Sequence, residues 1–151
     1  MTEKIIAVDF DGCLCESAWP EIGEARQSVI NDLIREQAEG AKLILWSCRE
    51  GEQLQAAVMW CLNHGIRFDA VNDNLEENIE HFGNNSRKVY ATEYWDDKNV
   101  LILNSGVLSV VPAENGGFGY QYHPPKKRLR DKLREIIRIM KPQGERKTWT
   151  D

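Results

Sequence analysis

Two acids stand two residues apart at Asp9 and Asp11, just past an apolar run and just before Gly12. Carboxylates held this close repel each other, so ionising both calls for a cation or a shared proton. A second pair, Asp96-Asp97, follows Tyr94-Trp95. Ligand sets built from carboxylate and carbonyl oxygens suit Mg²⁺, which keeps several waters and takes substrate phosphate oxygens. Acids in such positions also cap helices and close turns, and one Asp-x-Asp-Gly run alone fits either reading. Ser47, Cys48 and Arg49 close another apolar run, and Arg87-Lys88 precedes the second acid pair. A zinc site from Cys13, Cys15, Cys48 and His64 is the competing metal reading, but its spacing matches none of the usual paired zinc patterns.

The elements that must carry these residues follow from periodicity. Lys4–Asp9 reads as a buried strand broken by Asp11-Gly12, with residues 13–23 as a loop or flap. Apolar positions Ala25, Val29, Ile30, Leu33, Ile34 and Ala38 predict a helix over 24–39, closed by Gly40. Lys42–Ser47 is a second buried strand, 51–63 a second helix and 68–71 a short third strand. A short helix over 75–82 follows, then extended segments 88–91 and 94–95. Alternating strands and helices predict an α/β fold with a central, mainly parallel sheet. In such sheets sites form at the carboxyl ends of the strands. Asp9 with Asp11, Ser47 with Arg49, and Asp96 with Asp97 all fall there. Beyond 99, a hairpin over 100–103 and 107–111, a glycine-rich loop over 113–119 and an amphipathic helix after Pro124-Pro125 are expected.

Val8-Asp9-Phe10-Asp11-Gly12-Cys13-Leu14 resembles the first motif of the haloacid dehalogenase-like (HAD) phosphatase superfamily, usually DxDGTL. Ser47 resembles its second motif, Lys88 its third and Asp96-Asp97 its fourth, in the family's order across residues 4–99. Lys42–Arg49 and Arg87–Asn99 also resemble small phosphatases of the superfamily with W-[ST]-x-R and x-D-D-[RK]-N segments. The resemblance implies a Rossmann-like three-layer sandwich and a Mg²⁺-dependent phosphomonoester hydrolase. Asp9 would be the nucleophile that forms an aspartyl-phosphate, and Asp11 the general acid and then base. Ser47 and Lys88 would hold phosphoryl oxygens. Asp9, the Asp11 carbonyl and Asp97, with Asp96 in support, would hold the metal. Gly12, Cys48 and Arg49 fall on the substrate side. Two points stay open: Arg87 stands beside Lys88 and could take its place, and Arg49 either clamps a substrate anion or pairs with an acid such as Glu50. Cys13 replaces the family's usual Thr and is a poorer hydrogen-bond partner.

The superfamily's cap domains are inserted after the first motif or between the second and third. Neither gap here holds a folded domain, so no large cap and an open site are expected. Two readings compete with the phosphatase: a nucleic-acid 3′-phosphatase or nucleotidase, and a phosphate-binding regulatory module without turnover. Charge bears on the first. The chain is net −5, yet residues 126–151 carry 10 Lys and Arg against 4 Asp and Glu. That basic stretch suits an anionic partner, or else forms a solvated helix face against an acidic body. The expected organisation is a catalytic domain over 1–125 and a basic helix and tail over 126–151. No apolar run approaches bilayer length. With four cysteines and no signal-peptide pattern at Met1, a cytoplasmic protein with free thiols is expected. The expected partner is a phosphorylated small molecule or nucleic-acid end, not a membrane, and a homo-oligomer is compatible.

Overall fold

The computed structural model describes residues 3–103, 106–112 and 118–124. The chain divides into two compact units, Met1–Asn99 and Val100–Asp151. The basic helix and tail expected over 126–151 lie outside the described residues.

The first unit is built on four parallel strands, β1 (Ile5–Val8), β2 (Lys42–Leu45), β3 (Ala70–Val71) and β4 (Glu93–Trp95), in the order β3-β2-β1-β4. Helices α1 (Gln27–Ala38), α2 (Gly51–Asn63) and α3 (Glu76–Phe82) fall between successive strands. Every residue of β1 is buried, as its unbroken apolar sequence requires of a strand covered on both faces. Side chains alternate across a strand. Ile6 and Val8 therefore join Leu43 and Leu45 in one core, packed with Ile30 and Leu33 of α1 and Ala57 and Cys61 of α2. Ile5, Ala7 and Ile44 face the other way, onto Leu75 and Val89, with Trp46 and Tyr94 partly buried beside them.

Helix α2 has the bounds its periodicity predicts. Helix α1 begins three residues later than expected, because the flap uses the backbone of 24–26. Glu16 N–H donates to the Glu24 carbonyl (2.8 Å) and Arg26 N–H to the Leu14 carbonyl (2.9 Å). The third strand shortens to Ala70–Val71. The segment expected to be extended over 88–91 forms no ladder; Tyr90 N–H bonds the Asn74 side-chain oxygen instead (2.7 Å).

The second unit contains an antiparallel sheet of β5 (Val100–Leu103), β6 (Gly106–Pro112) and β7 (Phe118–His123), in that order. The expected hairpin is present, with Leu103 opposite Gly106. The expected loop over 113–119 is corrected at its end: Phe118 and Gly119 pair with Pro112 and Val111. Glycines at 116, 117 and 119 hid the alternation of Phe118, Tyr120 and Tyr122 that marks a strand. No helix among the described residues is long and apolar enough to cross a membrane.

Leu33 is fully enclosed between α1 and the sheet. Leu33→Ala is expected to cost about 2–5 kcal/mol, read as a lower urea midpoint with an unchanged m-value. A loss below about 0.5 kcal/mol would contradict this core.

Candidate functional site

Strands β1 and β4 run side by side with Val8 opposite Trp95. One residue further, Asp9 N–H donates to the Trp95 carbonyl (2.9 Å). The chain thus leaves both strands at the same level, and the acids that follow must meet. Asp9, Asp96 and Asp97 each offer an oxygen, and these oxygens lie within 4.8 Å of one another. Burial pushes Asp9 up to about 6; the Phe10 N–H opposes this, Asp96 and Asp97 add to it, and Lys98 counters it. Lys98 Nζ lies 3.4 Å from Asp97 Oδ1, and Asp97 first, with Asp9 and Asp96, raises its own pKa. Lys98 N–H donates to Asp96 Oδ1 (2.7 Å). Three hard oxygen donors around one point, with one exposed ammonium to offset them, are chemically suited to a divalent cation.

Gly12 is what lets Asp97 come so close. A Cβ there would lie 2.5 Å from Asp97 Oδ2, and the residue sits at φ +90°. Both conditions exclude a side chain. Gly12, expected on the substrate side, thus forms the wall behind Asp97.

The Asp11 carboxylate turns away from this cluster. Arg49 grips it in a fork, Nε to Oδ2 and Nη2 to Oδ1, each at 2.7 Å. The same guanidinium donates to the carbonyls of Pro20 (3.0 Å) and Glu21 (2.7 Å) in the flap. It lies over the rings of Phe10 and Trp19, at 4.9 and 5.1 Å from their centroids. The Arg49 side chain is 1% exposed. This corrects the expectation of a substrate clamp: the guanidinium is spent on Asp11 and the flap, and its acid partner is Asp11 rather than Glu50. Arg49 pairs with an acid 38 residues away, so local sequence offered no signal for it.

Ser47 is half-buried where β2 ends. Its Oγ accepts the Arg49 N–H (3.2 Å), and its own N–H donates to the Asn72 side chain (2.7 Å). Asn72 Nδ2 also donates to the Arg49 carbonyl (3.3 Å). Asn72 sits at φ +51°, a conformation Asn tolerates better than most residues. It anchors the 47–49 turn and was missed from sequence, where an Asn after a short strand reads only as a turn.

Lys88 is exposed, with Nζ 5.3 Å from the Tyr94 ring centroid. Among the described residues it makes no ion pair with Asp9, and the ammonium beside the carboxylates is that of Lys98. Arg87 is likewise exposed. The zinc alternative does not assemble among the described residues. Cys13 and Cys15 are buried while Cys48 is exposed, and His64 stacks on Trp60 and bonds its carbonyl. Cys13 donates its S–H to the Trp95 carbonyl (3.5 Å), and burial pushes its thiol up to about 12.

No protein-family model matches the chain, and no curated protein matches it. A solved structure from Bacteroides thetaiotaomicron, a conserved protein, is 44% identical over 65% of this chain and 78% of that one, with a TM-score of 0.58. The chain belongs to the family of that conserved protein. The likeness supports the α/β architecture and carries no activity with it.

Two outcomes follow from this geometry. Arg49→Met leaves Asp11 and two flap carbonyls without donors and should cost about 3–5 kcal/mol. An unchanged urea midpoint would show that the fork is not structural. Asp9 is held above its ordinary carboxylate value, so folding favours its protonated form. That stability is present below about pH 4 and lost as pH rises through about 6. Without metal, Asp9→Asn should therefore be more stable than wild type at pH 7–8 by about 1–3 kcal/mol, its partial exposure being discounted. The gain should vanish below about pH 4; thermal melts across pH check both ends.

Proposed function

We propose that this chain is a phosphomonoester hydrolase of HAD-like type, dependent on a divalent cation, in which Asp9 forms an aspartyl-phosphate. The observation that carries the reading is the meeting of Asp9, Asp96 and Asp97 at the carboxyl ends of two adjacent parallel strands. Ligand sites of open α/β sheets favour that edge. The parallel sheet with buried clusters on both faces supports a Rossmann-like three-layer sandwich.

In this reading an Asp9 oxygen attacks phosphorus, the bond to the leaving oxygen breaks, and that oxygen takes a proton from Asp11. Asp11 then accepts a proton from water, whose oxygen displaces Asp9 and releases phosphate. The Ser47 Oγ already accepts from Arg49 N–H, which leaves its hydroxyl hydrogen for a phosphate oxygen. Lys98 supplies fixed positive charge beside the carboxylates. Mg²⁺ held by Asp9, Asp97 and Asp96 would neutralise charge between the carboxylate and the phosphate. Asp11 is held as a carboxylate by the Arg49 fork, so it must first give up one arm and take a proton from solvent before it can pass that proton to the leaving oxygen.

That fork favours a second reading, a phosphate-binding module without turnover, because both Asp11 oxygens are engaged. Phosphate release from sugar phosphates, nucleotides and end-phosphorylated oligonucleotides separates the two. Under the hydrolase reading, release requires added Mg²⁺, stops with EDTA and falls to background in Asp9→Asn. Turnover that survives EDTA or Asp9→Asn excludes this mechanism. Phosphate binding with no turnover on any substrate establishes the module.

A further inference from the structure

On the face of the sheet opposite α1 and α2, the first unit holds a cavity of about 450 Å³. Asn74, Asn78, Phe82, Lys88, Tyr90 and Tyr94 are among the residues that line it. We propose that this cavity binds a small ring-bearing anion, an aromatic or heteroaromatic carboxylate or phosphate. The assignment does not depend on the hydrolase reading.

Charge is the first argument. The chain is net −5, yet among the described residues the lining contains Lys88 and no carboxylate. Among the described residues the Lys88 ammonium has no acidic partner and rests 5.3 Å from the Tyr94 ring centroid. An exposed ammonium held beside a ring, with no acidic partner among the described residues, is free to pair with the charge of an anionic ligand. Shape is the second argument. Phe82 and Tyr90 remain 52% and 45% exposed, with ring centroids 5.6 Å apart and planes inclined at 53°. A flat ligand laid against them would remove apolar surface from water. The volume lies within the range of small-molecule sites.

The cavity is also built in advance. Asn74 is 8% exposed; its Nδ2 donates to Asn85 Oδ1 (2.8 Å) and the Ser86 carbonyl (2.9 Å) while its Oδ1 takes the Tyr90 N–H. The Tyr94 hydroxyl donates to the Val89 carbonyl (2.7 Å). These bonds fix the backbone that carries Lys88 and Tyr90, so little ordering is left for a ligand to impose. Asn78 adds a donor: its Nδ2 is enclosed, with no hydrogen-bond partner among the described residues.

The test is titration of the whole chain, in EDTA, with benzoate, phenyl phosphate, inorganic phosphate and benzyl alcohol, followed by amide NMR. Benzoate and phenyl phosphate should saturate, with the shifts centred on residues 74–94. Inorganic phosphate and benzyl alcohol should each bind at least about tenfold more weakly. Which ring anion binds tighter tells carboxylate from phosphate. Lys88→Glu, an exposed change, should weaken both ring anions by about tenfold or more. Tyr90→Leu should weaken them with the fold unchanged by circular dichroism. The proposal fails if neither ring anion saturates, if benzyl alcohol or phosphate binds equally well, if Lys88→Glu changes nothing, or if the shifts centre on Asp9.

Discussion

The buried guanidinium of Arg49 ties the site region together. Taking a cation out of water is costly unless nearly every donor finds an acceptor, and here the acceptors come from separate parts of the chain. Asp11 follows β1, Pro20 and Glu21 belong to the flap, and Arg49 itself lies just past β2. The rings of Phe10 and Trp19 lie 4.9 and 5.1 Å from the guanidinium and help keep water from competing. A planar, five-donor group is needed, since a lysine ammonium could not bridge both carboxylate oxygens and two carbonyls. Gly23 serves the same assembly: a Cβ there would lie 2.2 Å from the Glu16 carbonyl oxygen. The flap can close on itself only because that side chain is missing.

Beside this satisfied pair stands an unsatisfied group. Asp9, Asp96 and Asp97 are drawn together by strand register and held there by Gly12, although their charges oppose the arrangement. The two acids of the Asp9-Phe10-Asp11 run therefore differ sharply in environment. One is neutralised by a fixed cation, while the other is left to titrate near neutrality or to share a bound ion. Environments that set neighbouring carboxylates apart in this way divide acid and base roles in many active sites.

What the sequence made legible was what depends on neighbours in the chain. Strand β1, helix α2 and the β5–β6 hairpin could be read from apolar runs and periodicity, and the convergence of Asp9 with Asp96 and Asp97 from strand order. Three of the misses have one cause. Arg49 with Asp11, Asn72 with Ser47, and Tyr90 with Asn74 are pairings across 38, 25 and 16 positions, and no local pattern encodes them. Lys98 was visible in the Asp-Asp-Lys-Asn run but drew no role, since a lysine beside two acids is ordinary on a surface. Family resemblance assigned Lys88 to the nucleophile; in the fold its ammonium lies over Tyr94.

Among the described residues the parallel sheet is bounded by its two shortest members. β3 contributes two residues and β4 three, while the inner strands have four each. An outer strand offers unpaired backbone groups to any other chain that arrives in extended form, and the hazard grows with its length. Ledges this short give an incoming strand few hydrogen bonds to set against the entropy of ordering it. The first unit is thus guarded against edge-to-edge aggregation by brevity, without a proline or a bulge in either outer strand.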